Sequence, residues 1–250
     1  MTATLSKVIV VGASSGIGEA VAKQLAGAGA SVALLARRQS ELDRVAGEIR
    51  AAGKGQVFVH AHDVTHFDEV PALFEKVVSE LGGLDGIVYA SGVMPPLEEG
   101  EYAFAKDRQM VEVNLLGAMA WLNPAAATFE AQHGGTIIGI SSIAGERGRR
   151  GNPGYCTSKA AFSTYLESLR NRLARYGVNV TTVKPGFVDT AMTQGKPGLF
   201  WVISPEQAAE TTLSVARRGA GAQAIVPWRW NLVMGVVRTL PSFVFRRLNF

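Results

Sequence analysis

The chain has 250 residues, 47 % of them hydrophobic and 18 % charged, a balance that excludes a disordered chain and supports one large hydrophobic core. A single cysteine, Cys156, excludes a disulfide framework and a multi-cysteine metal site, and makes a reducing, cytoplasmic setting the expectation. The net charge of +4 arises at the C-terminal end, where no Asp or Glu follows Glu210 but Arg217, Arg218, Arg229, Arg238, Arg246 and Arg247 do; with no interleaved basic and aromatic stripe, nucleic acid is not an expected partner.

Short β-branched runs alternate with longer amphipathic segments. Strands are predicted at 7–12, 31–36, 56–60, 84–89, 135–141, 178–183 and 223–227, and helices at 16–28, 39–52, 66–81, 103–131, 155–176 and 204–218. The run Val8-Ile-Val-Val11 is continuously apolar, as is most of Ser31–Leu35. Such runs suit strands covered on both faces, and the strict alternation predicts a single-domain α/β fold around a doubly wound parallel sheet of seven strands. Ser204-Pro205-Glu206-Gln207 reads as a helix start with a capping box. Residues 1–227 form the expected main unit, and 228–250 an extension packed on it. The segment 187–203, with Gly195, Pro197, Gly198, Phe200 and Trp201, reads equally as a flap over a pocket or as a surface loop. No secretory pattern opens the chain. The nearest approach to a membrane span, 225–245, is broken by Pro227, Arg229, Arg238 and Pro241.

The first strand leads into Gly12-Ala-Ser14-Ser15-Gly16-Ile17-Gly18 and then a helix. Gly12 permits a tight turn, Gly16 a close approach of backbone to a pyrophosphate, and Gly18 close helix–strand packing, while the helix N-terminus offers free N–H groups. The second strand ends at Ala36-Arg37-Arg38, with guanidiniums where an NAD site would place an acid. Arginine suits a 2′-phosphate, so NADP is the expected cofactor, with Arg37 favoured over Arg38 as its partner. Asp63, before Val64, is a candidate acceptor for an adenine amino group or else a turn Asp. His60 and His62 lack a nearby third ligand and read as structural, so no metal is expected.

Tyr155 and Lys159 lie four apart on a predicted helix and share a face. A free tyrosine is a poor base at neutral pH, and an adjacent ammonium is expected to lower its pKa. Tyr155 would then exchange a proton with a carbonyl or alcohol oxygen. Ser142 follows the fifth strand and offers a hydroxyl to that oxygen; Ser141 can take the role if the strand turns the other way. Asn114, on an apolar helix, is costly to bury unless satisfied, and is a candidate to hold a water linking Lys159 to solvent.

These pieces together resemble the short-chain dehydrogenase/reductase family over about residues 6–227: Gly12-x-x-x-Gly16-x-Gly18, Asp63, Asn114, Ser142, Tyr155-x-x-x-Lys159 and Pro185-Gly186, in this order and spacing. The resemblance implies a Rossmann-like fold and a catalytic set of Asn114, Ser142, Tyr155 and Lys159. It also implies that Pro185-Gly186 borders the nicotinamide, with Val188 at its carboxamide and Thr190 at carboxamide or phosphate, and that Ala90 and Gly92 lie beside the adenosine ribose. Val11 stands where the family often has Thr, and Tyr89-Ala90-Ser91-Gly92 replaces its Asn-Asn-Ala-Gly, so altered hydrogen bonding is expected there. The implied activity is NADP(H)-dependent hydride transfer at a carbonyl or alcohol carbon. The alternative is a non-catalytic NADP-binding sensor or scaffold, against which the filled catalytic set argues. Phe187, Phe200, Trp201 and Val93-Met94 suggest a small to medium, apolar substrate. The resemblance further implies a homodimer or homotetramer pairing helices 103–131 and 155–176. The end, from Trp228-Arg-Trp230 to Phe243-Val-Phe245 and on to Phe250, departs from the family; core packing, substrate wall, subunit contact and contact with anionic lipid remain open for it.

Overall fold

The computed structural model describes residues 5–195, 198–219 and 223–247; Pro197 and Phe250 lie outside the described residues. The first half runs β1 (Lys7–Val11), α1 (Gly16–Gly27), β2 (Ser31–Ala36), α2 (Gln39–Ala52), β3 (Val57–Ala61), α3 (Val70–Leu81) and β4 (Gly86–Tyr89). Then follow α4 (Phe104–Val111), α5 (Gly117–Ala131), β5 (Thr136–Ile140), α6 (Pro153–Leu173) and β6 (Asn179–Pro185). The chain continues through α7 (Pro205–Arg217), β7 (Gln223–Val226), α8 (Trp230–Thr239) and α9 (Ser242–Phe245). The strands form one parallel sheet in the order β3-β2-β1-β4-β5-β6-β7. This is the seven-stranded doubly wound arrangement expected, with its switch of direction between β1 and β4.

Strand residues point alternately to two apolar layers. Ile9, Ile87 and Ile137 meet Phe74 of α3, Trp121 and Phe129 of α5, and Phe162 of α6. Val8, Val10 and Val88 meet Leu25 of α1, Leu42 and Ile49 of α2, and Leu213 of α7. Burial on both faces explains why these strands read as unbroken apolar runs.

The helix expected over 103–131 is not regular. Residues Glu112–Leu116 form a π-helical turn between α4 and α5. The Tyr89 phenol, wholly buried, donates to the Val113 carbonyl oxygen at 2.6 Å, and Asn114 turns from the same widened turn toward Val93. Periodicity cannot register the one extra residue of such a turn, which recurs at functional sites. The helix expected from residue 155 begins at Pro153, because Asn152 caps it by accepting from the Tyr155 N–H at 3.1 Å. The expected capping box of α7 is present: Ser204 Oγ accepts from Gln207 N–H, and Gln207 Oε1 from Ser204 N–H.

The C-terminal extension packs on the same unit. Trp230, Met234 and Val237 bury against Ile143 and Ile225. Arg147 donates to the carbonyl oxygens of Val237 and Leu240, at 2.7 and 2.6 Å, and its guanidinium lies 4.1 Å from the centre of the Phe245 ring. A cation on the last carbonyls of α8 is favourable there. Among the described residues no helix is long and apolar enough to cross a membrane.

Candidate active site

A cleft of about 350 Å³ opens along the carboxyl ends of the strands, at the switch between β1 and β4. Every nominated cofactor and catalytic residue except Asn114 lines it, from Gly12 and Arg38 at one end to Tyr155 and Thr190 at the other.

The phosphate end is built on steric exclusion. Gly12 has φ +92°, and a Cβ there would sit 2.5 Å from the Ser91 nitrogen. A Cβ on Gly18 would lie 2.1 Å from the Gly12 carbonyl oxygen. Glycine at both positions lets β1, α1 and the exit of β4 close on one another, leaving the start of α1 open to the cleft. The Arg38 guanidinium donates to the hydroxyls of Ser14 and Ser15, each at 3.2 Å. Arg37 instead reaches toward Asp63, 3.8 Å away. Arg38 is therefore the arginine drawn onto the glycine-rich loop. Asp63 forms a turn, accepting from the N–H and hydroxyl of Thr65 at 3.0 and 2.8 Å; burial raises its pKa, but those bonds and the Arg37 charge leave it lowered overall. His60 and His62 lie against Glu80 and Glu69, at 2.7 and 3.3 Å.

At the chemical end, Ser141 and Ser142 point opposite ways. Ser141 Oγ donates to the Lys159 carbonyl oxygen at 3.0 Å and lies 2.8 Å from Ser163 Oγ, behind α6. Ser142 faces the cleft beside Tyr155, and it caps the 3₁₀ turn Ile143–Glu146 by accepting from Ala144 N–H at 3.1 Å. Of the two serines, only Ser142 is placed beside the tyrosine.

Lys159 is buried, and its ammonium donates to the Ile140 carbonyl oxygen at 3.0 Å. Burial lowers its pKa to about 8. Its Nζ lies 5.9 Å from the centre of the Tyr155 ring. The expected lowering of the tyrosine pKa is not observed. Burial pushes Tyr155 above its usual value, against the opposing Ser142 hydroxyl and Arg149 charge. The phenol is therefore held in its protonated form.

Asn114 is fully buried and satisfied. Its Oδ1 accepts from Val93 N–H at 2.7 Å, and its Nδ2 donates to the Val93 carbonyl oxygen and Ser158 Oγ, both at 3.0 Å. Its side chain thus clamps the exit of β4 to α6 rather than facing the cleft. The altered hydrogen bonding expected at Tyr89-Ala90-Ser91-Gly92 takes a definite form, since Tyr89 anchors this segment to the π-helical turn.

The segment 187–203 closes on itself. Asp189 N–H donates to the Ile203 carbonyl oxygen and Ile203 N–H to that of Phe187, at 2.9 and 3.1 Å. Ala191, Met192 and Thr193 line the cleft, and the Tyr155 phenol lies 3.9 Å from Met192 Sδ. Sequence reasoning missed Met192, and no motif marks it. Val93, Met94 and Met192 pack around Tyr155 and Cys156. Phe187, Phe200 and Trp201, nominated as substrate contacts, instead pack on Trp230 with ring centres 4.9 to 5.6 Å apart. Gly186 makes room for Trp230, because a Cβ there would lie 2.1 Å from the indole nitrogen.

These residues fit a dinucleotide. Two glycines exclude side chains from the phosphate end, Arg38 and two serines converge there, and among the described residues the buried Lys159 ammonium directs only one of its three donors at a protein acceptor.

Comparison with known proteins agrees with the geometry. A family model described as short chain dehydrogenase matches residues 6–197. An uncharacterized oxidoreductase of Staphylococcus aureus is 35 % identical over 215 residues, covering 85 % of this chain and 92 % of its own. One from Mycobacterium tuberculosis is 27 % identical over 246 residues, covering 98 % and 97 %. The crystal structure of a short-chain type dehydrogenase/reductase from Mycobacterium marinum superposes with a TM-score of 0.82 at 28 % identity, over 96 % of this chain and 98 % of that one. A 3-oxoacyl-[acyl-carrier protein] reductase from Brucella melitensis, at 22 % identity and TM-score 0.78 over 88 % of each chain, shares the fold.

Proposed function

Because the chain belongs to the short-chain dehydrogenase/reductase family, whose members use a nicotinamide cofactor, we propose that it is an NADP(H)-dependent oxidoreductase acting on a carbonyl or alcohol group of a small to medium, apolar substrate. The observation that carries this reading is one cleft with Arg38 on the glycine-rich loop at one end and Ser142, Tyr155 and Lys159 at the other.

When bound, the nicotinamide would supply or accept the hydride. Arg38, with Ser14 and Ser15, would hold the 2′-phosphate through planar charge-assisted hydrogen bonds, with Arg37 and Asp63 flanking the adenosine. Gly16, Ile17 and the N–H groups opening α1 would take the pyrophosphate. Ala90 and Gly92 would border the adenosine ribose, and Pro185, Gly186, Val188 and Thr190 the carboxamide. Lys159 would hold the nicotinamide ribose hydroxyls with the donors that Ile140 does not use. Ser142 would donate to the substrate oxygen. Tyr155 would give its proton to that oxygen during reduction and take it back during oxidation. Val93, Met94 and Met192 offer the apolar wall next to the phenol.

In the assembly we propose, two or four copies pair through α4–α5 and α6, and the molar mass from light scattering tests it. Cofactor-dependent turnover of a carbonyl panel, with Tyr155→Phe as the control, tests the catalytic reading.

A further inference from the structure

Helix α8, Trp230-Asn-Leu-Val-Met-Gly-Val-Val-Arg-Thr239, turns apolar side chains outward as well as inward, beside exposed Asn231, Arg238 and Thr239. Trp230, Met234 and Val237 are buried, while Leu232 and Val236 point outward. Trp228 precedes them one turn earlier, and Phe243 follows on α9. These four are 56 to 66 % exposed. The flap adds Phe200, Trp201 and Val202, also exposed, and joins this surface through the ring contacts of Phe200 and Trp201 with Trp230. Only Tyr102, Phe104 and Leu116 are comparable elsewhere among the described residues. Exposed large apolar side chains clustered in this way mark a face that something covers.

The charge says what covers it. Arg229, Arg246 and Arg247 are exposed at the two ends of this face, and among the described residues none has an acidic partner. Arg238 is the exception, paired with Glu146. The whole stretch after Glu210 has no acid and no lysine. A two-fold contact between copies would set the same arginines against themselves with no acid to relieve them. Anionic lipid headgroups relieve them directly, and Trp and Phe favour that depth of a bilayer. Ten residues of helix rise about 15 Å, half of a ~30 Å hydrocarbon core, so α8 can lie in the interface but not cross it.

We propose that the outer face of α8 and α9, with the adjoining flap residues, docks on the surface of an anionic membrane. The flap joins this face to the cleft: Met192 lies beside Tyr155, while Phe200 and Trp201 lie against Trp230. Docking would place the cleft beside the bilayer, where apolar carbonyl compounds concentrate. The docking itself does not depend on the catalytic reading, since its test reads binding and not turnover.

The test is co-sedimentation of the full chain with vesicles of phosphatidylcholine alone or mixed equally with phosphatidylglycerol, at low and high salt. The full chain should bind the anionic vesicles and lose most of that binding in high salt. Leu232→Ser/Val236→Ser and, separately, Arg246→Ser/Arg247→Ser should each weaken binding about tenfold or more while thermal unfolding is unchanged. If the first pair fails to fold, Trp228→Ser carries the apolar arm. Absence of binding to anionic vesicles at low salt overturns the proposal, as does binding that both variants retain. So does self-association of the full chain that Leu232→Ser/Val236→Ser abolishes without any vesicle binding, which would assign the face to a second copy.

Discussion

The Lys159 ammonium donates to the carbonyl oxygen of Ile140, the last residue of β5, across 3.0 Å. That bond ties the second turn of α6 to the end of β5 and holds a charge that is largely buried in the wall of the cleft. Burial lowers the amine to about 8 from an unfolded value near 10.5. Below about pH 8 the amine is charged in both states, and its burial costs the fold on the order of 3 kcal/mol. Between about 8 and 10.5 the unfolded chain binds more protons, so stability rises with pH. Lys159→Met removes the charge and leaves the Ile140 carbonyl without its partner, a loss of about 1–3 kcal/mol. The variant should be more stable than the natural chain by about 1 kcal/mol at pH 7, with the advantage lost near pH 9 and reversed by about 1–2 kcal/mol at pH 10. Urea unfolding at both pH values measures this, and a less stable variant at pH 7 would show that the burial cost is overstated.

The same titration sets the pH dependence of cofactor binding. A protonated Lys159 attracts a polyanionic dinucleotide and a neutral one does not. The Kd for NADPH should rise several-fold between pH 7 and 9.5, and Lys159→Met should flatten that rise. Fluorescence titration of NADPH follows it, and an unchanged slope in the variant would assign the pH dependence to another group.

Arg38, not Arg37, is the arginine on the glycine-rich loop. Charge-assisted hydrogen bonds contribute about 1.5–3 kcal/mol each. Arg38→Ser should therefore weaken NADPH binding by roughly tenfold to a hundredfold and leave NADH nearly unchanged. Arg37→Ser should have the smaller effect, because its guanidinium faces Asp63 and solvent. The reverse ranking in a pair of titrations would restore Arg37 as the phosphate partner.

Glu146 ties the extension to the loop that carries Ser142. Burial raises its pKa, but the hydrogen bonds and charges of Arg238 and Lys184 outweigh burial and leave it lowered. Its carboxylate therefore stabilises the fold above the unfolded value of about 4.5, and that contribution is lost as pH falls through the lower folded value. Glu146→Ala leaves the buried Lys184 ammonium without its carboxylate, 2.7 Å away in the natural chain, and with the Gln223 amide oxygen at 2.9 Å as its remaining acceptor among the described residues, and should cost about 3 kcal/mol. Arg147→Ala should loosen the end of α8 for a smaller loss, about 1–3 kcal/mol. Thermal unfolding of both variants checks the order.

The sheet was legible because burial on both faces writes itself as unbroken apolar runs in β1 and β2. The phosphate end was legible because Gly12 and Gly18 have no alternative: backbone lies where a Cβ would be. Tyr155 and Lys159 declared themselves by helical spacing. What stayed hidden depends on long-range contact. The π-helical turn at Asn114 follows from Tyr89 reaching Val113, which no periodicity records. The choice between Ser141 and Ser142 depends on the direction in which β5 ends. Tyr155 is expected from its neighbouring charge to be lowered, whereas its pKa follows from burial that only the packing of Met192 and Cys156 around it reveals. Phe187, Phe200 and Trp201 read in the sequence as a substrate wall, and their packing on Trp230 depends on contact that no local pattern records.

The central claim is that Tyr155 moves a proton to or from a substrate oxygen while an NADP cofactor moves the hydride. The most direct measurement is the consumption of NADPH and NADH by the purified chain with aldehydes and ketones of increasing size and apolarity, beside Tyr155→Phe. Turnover should favour NADPH and fall by about 10²–10⁴ in the variant, which should still bind NADPH normally. Turnover that Tyr155→Phe retains, or tight NADPH binding with no turnover of any carbonyl or of the corresponding alcohols, would contradict the claim.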